Sequence, residues 1–125
     1  MKAQFTLEFV FAIGVGMIVS MLIIVAVSGQ FEDIRRDKNV FLINDLAKSI
    51  RYEVFIAAES SDGYSRTFTV PYNLSETSYV VSINSTSVIV HTTEYESVLK
   101  VPSVTGNINK GTNTIRKEGG IIYLN

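Results

Sequence analysis

Side chains able to do chemistry are few in this 125-residue sequence, and their spacing does not suit catalysis. There is one histidine, His91, and no cysteine. Thiolate chemistry and disulfides are therefore excluded, and zinc, which takes several His or Cys ligands, has no donor set. No spacing signals a Ser/His/acid arrangement, and no glycine-rich phosphate loop follows a strand-like run. Glu94 and Glu96 flank Tyr95, which suits solvent-facing strand positions better than a catalytic pair. His91 stands beside Thr92 and Thr93 in a strand-like run and reads as a half-exposed strand residue. Formal net charge is -1 with no clustered basic face, so no nucleic-acid partner is expected. The expectation is a chain without catalytic residues, metal or cofactor.

One carboxylate occupies an unusual position. Glu8 ends the segment Lys2-Ala3-Gln4-Phe5-Thr6-Leu7 and directly precedes an apolar run from Phe9 to Val27, whose single polar member is Ser20. As a helix that run reaches roughly 28 Å, the thickness of a bilayer's hydrocarbon. It is apolar all round, unlike the core helix of a small soluble domain. A secretory signal would have a shorter apolar region followed by a small-residue cleavage site; here the small residue, Ala3, precedes the run. A carboxylate beside a span is costly without a function or a partner, the plain alternative being that Glu8 simply sits in the headgroup region. Ala12, Gly16 and Ser20 follow Glu8 at intervals of four. Residues so spaced share one slowly drifting helix face, and small-xxx-small ridges let membrane helices approach closely.

These residues carry a resemblance. A basic residue, a small residue and then Q-x-S/T-x-E-F before an apolar helix resembles the class III signal peptide of archaeal type IV pilins. Ala3 stands where Gly is common in that family, and Thr6 where Ser is common. The resemblance implies cleavage between Ala3 and Gln4 by a membrane-bound prepilin peptidase, with Lys2, Ala3, Gln4, Thr6 and Glu8 as recognition positions. It implies that Glu8 becomes the fifth residue of the mature chain and meets the N-terminal amine of a neighbouring subunit. Glu8, Ala12, Gly16 and Ser20 are then the assembly residues. The implied partners are copies of itself or related pilins, the peptidase, and an assembly ATPase with its membrane platform.

Beyond the apolar run, Ser28-Gly29 could bend the helix, and Gln30 to Ala58 reads as an amphipathic continuation. Ile43, Leu46, Ala47, Ile50, Val54 and Ala57 share one face at helical spacing and should pack on a sheet. Phe31, Ile34, Phe41 and Tyr52 lie towards the other side, among Lys38, Asp45 and Lys48. The cluster Glu32, Asp33, Arg35, Arg36, Asp37 and Lys38 marks the exit into water. Arg35, Arg36 and Lys38 outnumber Lys2 plus the amine, so basic-residue counting does not favour a cytoplasmic N-terminus. That orientation is expected from the resemblance and from the character of the distal region.

The distal region opens at the turn cluster Ser60-Ser61-Asp62-Gly63. Strand-like runs cover 66–70, 79–84, 88–93, 97–101 and 121–124, with a hairpin around Asn84-Ser85-Thr86-Ser87. Gly106, Gly111 and Gly119-Gly120 punctuate the tail. Asn73-Leu74-Ser75 and Asn84-Ser85-Thr86 are N-glycosylation sequons. Tyr64, Tyr72, Tyr79, Tyr95 and Tyr123 suit either strand packing or an adhesive surface.

The expected fold class is α+β: a long N-terminal α-helix packed on a small antiparallel β-sheet domain, similar to a type IV pilin. The expected divisions are a leader at 1–3, a transmembrane or filament-core helix at 4–28, its amphipathic continuation at 29–59 and an extracellular β-domain at 60–125. The chain is expected to be a single-pass membrane protein that then enters an extracellular surface filament serving adhesion or attachment. The competing reading is a membrane-anchored surface-binding protein that forms no filament; such an anchor does not need Glu8 and its cleavage motif. A third reading is an archaellin, which shares related signal processing.

Overall fold

The computed structural model describes residues 2–75 and 77–125, with side chains from residue 6 onward. One helix, α1, runs from Lys2 to Glu59. Seven strands follow: β1 (Ser65–Val70), β2 (Val80–Asn84), β3 (Ser87–His91), β4 (Glu96–Lys100), β5 (Val104–Gly106), β6 (Gly111–Glu118) and β7 (Ile121–Leu124). The described chain divides into two compact units, residues 2–37 and residues 38–125.

In the first unit every residue from Thr6 to Asp37 is exposed. Neither Ser28-Gly29 nor any other pair interrupts the helix assignment. The Ser28 hydroxyl donates to the Ile24 carbonyl at 2.7 Å, four residues back, so this polar side chain is satisfied within the helix.

The second unit holds the core. Ile43, Leu46, Ala47, Ile50, Val54 and Ala57 are all buried, as their spacing predicts. They belong to one cluster with Val81, Ile83, Val88 and Val90 from β2 and β3, and with Ile115, Ile122 and Leu124 from β6 and β7. Each fully buried aliphatic side chain contributes about 1.5–3 kcal/mol. The opposite side of this helix segment is exposed, with Phe41 and Tyr52 at 69% and 66%. Polar ties fix how the segment lies on the strands. Ser97 Oγ on β4 donates to Asn44 Oδ1 at 2.8 Å. Arg66 on β1 meets Glu53 at 3.3 Å. At the helix end, Lys117 Nζ on β6 donates to the carbonyls of Ala58 at 2.6 Å and Ser60 at 2.8 Å. The last turn has no basic residue of its own, so Lys117 supplies the positive charge that the open carbonyls of a helix C-terminus favour.

Where a single antiparallel sheet is expected from the sequence, the chain forms two. One is three-stranded and antiparallel in the order β2-β3-β4; the other is four-stranded in the order β1-β6-β7-β5. In the larger sheet β5 runs parallel to β7, from Val104↔Ile122 to Gly106↔Leu124. A Cβ on Gly106, whose φ is +120°, would stand 2.0 Å from the Leu124 carbonyl oxygen, so only glycine fits there. The expected hairpin is present, with Asn84↔Ser87 closing a two-residue turn.

β6, the longest strand, escapes sequence patterning. Its inward residues are Gly111, Asn113 and Ile115, so only one of the three is a large apolar side chain. Asn113 is 1% exposed, and its amide is fully used. Nδ2 donates to the carbonyls of Asn109 at 2.7 Å and Gly111 at 3.0 Å. Oδ1 accepts from the Asn109 N–H at 2.8 Å and from Asn125 Nδ2 at 2.9 Å. Buried and satisfied, this amide ties the 107–110 loop to the start of β6. Asn113→Ala strands several buried partners and should cost about 2 kcal/mol or more; denaturant titration of the purified chain in mild detergent, followed by β-sheet circular dichroism, measures it.

Candidate functional site

The residues singled out by the sequence lie at the front of α1. The backbone of Lys2, Ala3 and Gln4 is helical, and their side chains lie outside the described residues. Thr6, Glu8, Ala12, Gly16 and Ser20 are all exposed on the same helix. Steps of four residues rise about 6 Å each and turn about 40°. The ridge from Glu8 to Ser20 is therefore about 18 Å long and sweeps about a third of the way round the helix.

Two features fit this ridge to an apolar setting. The Ser20 hydroxyl donates to the Gly16 carbonyl at 2.8 Å, so the one polar group within the run needs no outside partner. A Cβ added at Gly14 or Gly16 would meet nothing within 4 Å. The chain's own packing thus gives no reason for glycine there, although glycine costs about 1 kcal/mol relative to alanine in a helix. Around the ridge the apolar surface is open: Leu7 is 74% exposed, Phe11 72% and Met17 71%. α1 is long and apolar enough to cross a membrane.

Glu8 is the only ionisable side chain among the described residues between Thr6 and Val27. Among the described residues no cation pairs with it. Water, lipid headgroups or a neighbouring chain can satisfy its charge, and hydrocarbon cannot.

The second unit offers less. A shallow depression of about 200 Å³ is lined by Asn39, Thr77, Thr92, Thr93, Glu94 and Tyr95, a grouping the sequence gives no signal for. Its Thr92 hydroxyl is spent on the local turn, accepting from the Tyr95 N–H at 3.2 Å. His91 lies exposed at the end of β3, opposite Val80 and Glu96. Among the described residues no three His, Cys, Asp or Glu side chains gather to hold a metal ion. Of the five tyrosines considered for a surface, Tyr79 is core at 2% exposure, whereas Tyr72 is 70% exposed. The Tyr79 hydroxyl donates to the Pro71 carbonyl, and burial raises its pKa. Asn73 and Asn84 are both exposed.

Because a Cβ at Gly16 would meet nothing within 4 Å, Gly16→Leu should leave the fold and membrane insertion unchanged. Helix-to-helix association in membranes should fall several-fold, read as cross-linking yield between chains at equal expression.

Comparison with protein-family models, with curated proteins and with solved structures finds no match to this chain.

Proposed function

We propose that this chain is a structural subunit of an archaeal type IV pilus-like surface filament, made as a membrane-anchored prepilin. The observation that carries this reading is the division of the chain into two kinds of surface. Residues 38–125 bury their own apolar side chains in one core. Residues 6–37 bury none, and among the described residues no cation pairs with Glu8 at the head of the small-residue ridge. Such a helix is stable in lipid, or among other helices of its kind.

In this reading prepilin peptidase cuts between Ala3 and Gln4, with Lys2, Ala3, Gln4, Thr6 and Glu8 as the recognition segment. The new α-amine is a cation, and a neighbouring subunit's Glu8 is the carboxylate that needs one. Pairing them within a bundle of apolar helices offsets two desolvation costs at once and sets the axial stagger between subunits. Gly16, Ala12 and Ser20 let the helices close on one another by van der Waals contact, since lipid and helix are equally apolar. The assembly ATPase and membrane platform supply the work of extraction. The N-terminus lies in the cytoplasm and the β-domain outside. The subunit itself performs no catalysis.

Two measurements test this. The N-terminal peptide of the protein from surface fractions should have the mass of a chain beginning at Gln4. A chain beginning at Met1 or Lys2 removes the processing step and leaves a membrane-anchored surface-binding protein. Glu8→Ala should insert in the membrane at wild-type level and yield at least tenfold fewer filaments by electron microscopy; wild-type filament yield would rule out the pairing.

A further inference from the structure

The three-stranded sheet has two edges that differ in their protection. β4, at one edge, carries Glu96 and Lys100, both exposed. β2, at the other, reads Val80-Val81-Ser82-Ile83-Asn84, with no charge and no proline. An unguarded edge of this composition is a template for pairing with another strand. The outer face beside it is also apolar in part. Val80 and Val98 are each 53% exposed, and half-buried Ile89 lies between β2 and β4, opposite Val98.

Asn84 stands at the end of this edge. Val80, Ser82 and Asn84 are the exposed positions of β2, so all three project from the same outer face. Asn84, Ser85 and Thr86 are each exposed. Among the described contacts none of their side chains is engaged. Their backbone, in contrast, is held. The Ser85 and Thr86 carbonyls accept from the N–H groups of Val104 and Val101, each at 2.9 Å. The sequon is therefore presented on a fixed hairpin tip with free side chains.

The other sequon is presented differently. Leu74, its middle residue, is packed against the core. Its N–H and carbonyl are both tied to Thr77, at 3.3 and 3.0 Å. Ser75, which carries the required hydroxyl, has a φ of +57°. Asn73 thus belongs to a segment folded back on itself.

We propose that Asn84 is N-glycosylated, that Asn73 is not, and that the Asn84 glycan guards the β2 edge against pairing with other chains. The inference rests on the surface placement proposed above. A membrane transferase would supply an oligosaccharide activated as its lipid phosphate. The Asn84 amide nitrogen bonds to the anomeric carbon, the carbon–oxygen bond to the lipid phosphate breaks, the amide loses one proton to a base, and the lipid phosphate leaves. No oxidation or reduction is involved. The oligosaccharide then projects from the outer face at the end of β2, and its bulk overhangs the edge that a pairing strand would have to reach.

The test is peptide mass spectrometry of the full-length protein from its native envelope, with the N-terminal peptide read in the same digest. The expected result is a glycan mass on the Asn84 peptide and an unmodified Asn73 peptide. Thr86→Ala should abolish the modification because it removes the side-chain hydroxyl, and Thr86→Ser should keep it because it loses only the methyl group. The unglycosylated Thr86→Ala protein should show at least several-fold more cross-linked or sedimenting aggregate than Thr86→Ser. A bare Asn84 in a chain beginning at Gln4 overturns the glycan while leaving the filament reading intact. A bare Asn84 in a chain beginning at Met1 removes both. A glycan on Asn73 alone overturns the assignment. Loss of the glycan with no gain in aggregation overturns the guarding role.

Discussion

Both sheets depend on one stripe of side chains. Ile43, Leu46, Ala47, Ile50, Val54 and Ala57 are the apolar cover for β2–β3 and for β6–β7 alike. A small sheet with one polar face cannot hold itself together in water. Two such sheets, of three and four strands, share a single helix here. The polar ties then decide where each sheet lies along it: Asn44 with Ser97 for the smaller, Lys117 at the helix end for the larger. Without the stripe, neither the hairpin tip nor the β6–β7 turn would have a surface to be positioned on.

How far this was legible follows from which residues face inward. The helix stripe was visible because its inward residues are aliphatic throughout and recur at helical spacing. β7 was visible with its observed limits, and β1 to β4 to within two residues at each end, because β2, β3 and β7 carry apolar runs, β4 the pair Val98-Leu99 and β1 the alternation Phe68-Thr69-Val70. β6 was not, because Gly111 and Asn113 occupy two of its three innermost positions. An asparagine is admissible there only because four hydrogen bonds converge on it, from Asn109 in the preceding loop, from Gly111 at the start of β6 and from Asn125. β5 is three residues long, and its pairing rests on the Gly106 close approach, which is a property of the assembled fold. The parallel β5–β7 pair therefore had no local signal.

The candidate site shows the reverse balance. Glu8 and the small residues behind it are legible in sequence because their meaning is one of type and interval. Folding the chain adds that Ser20 satisfies itself and that Gly14 and Gly16 are not required by internal packing. The two sequons, in contrast, are indistinguishable as triplets. They separate only when Leu74 is seen tied to Thr77 and Thr86 is seen at a hairpin tip.

The Lys117 clamp also has a mechanical meaning. Force drawn along α1 towards its front end reaches the larger sheet through the Lys117 bonds to Ala58 and Ser60 and through the Glu53–Arg66 contact. The packed stripe runs from Ile43 to Ala57, with the Glu53 contact within its length and the Lys117 bonds at its end, so tension along the helix loads these contacts together. They cannot be peeled one at a time. A chain pulled by its helix would therefore yield at the clamp and the stripe as a single event, and the strands behind them would carry almost none of the load until then.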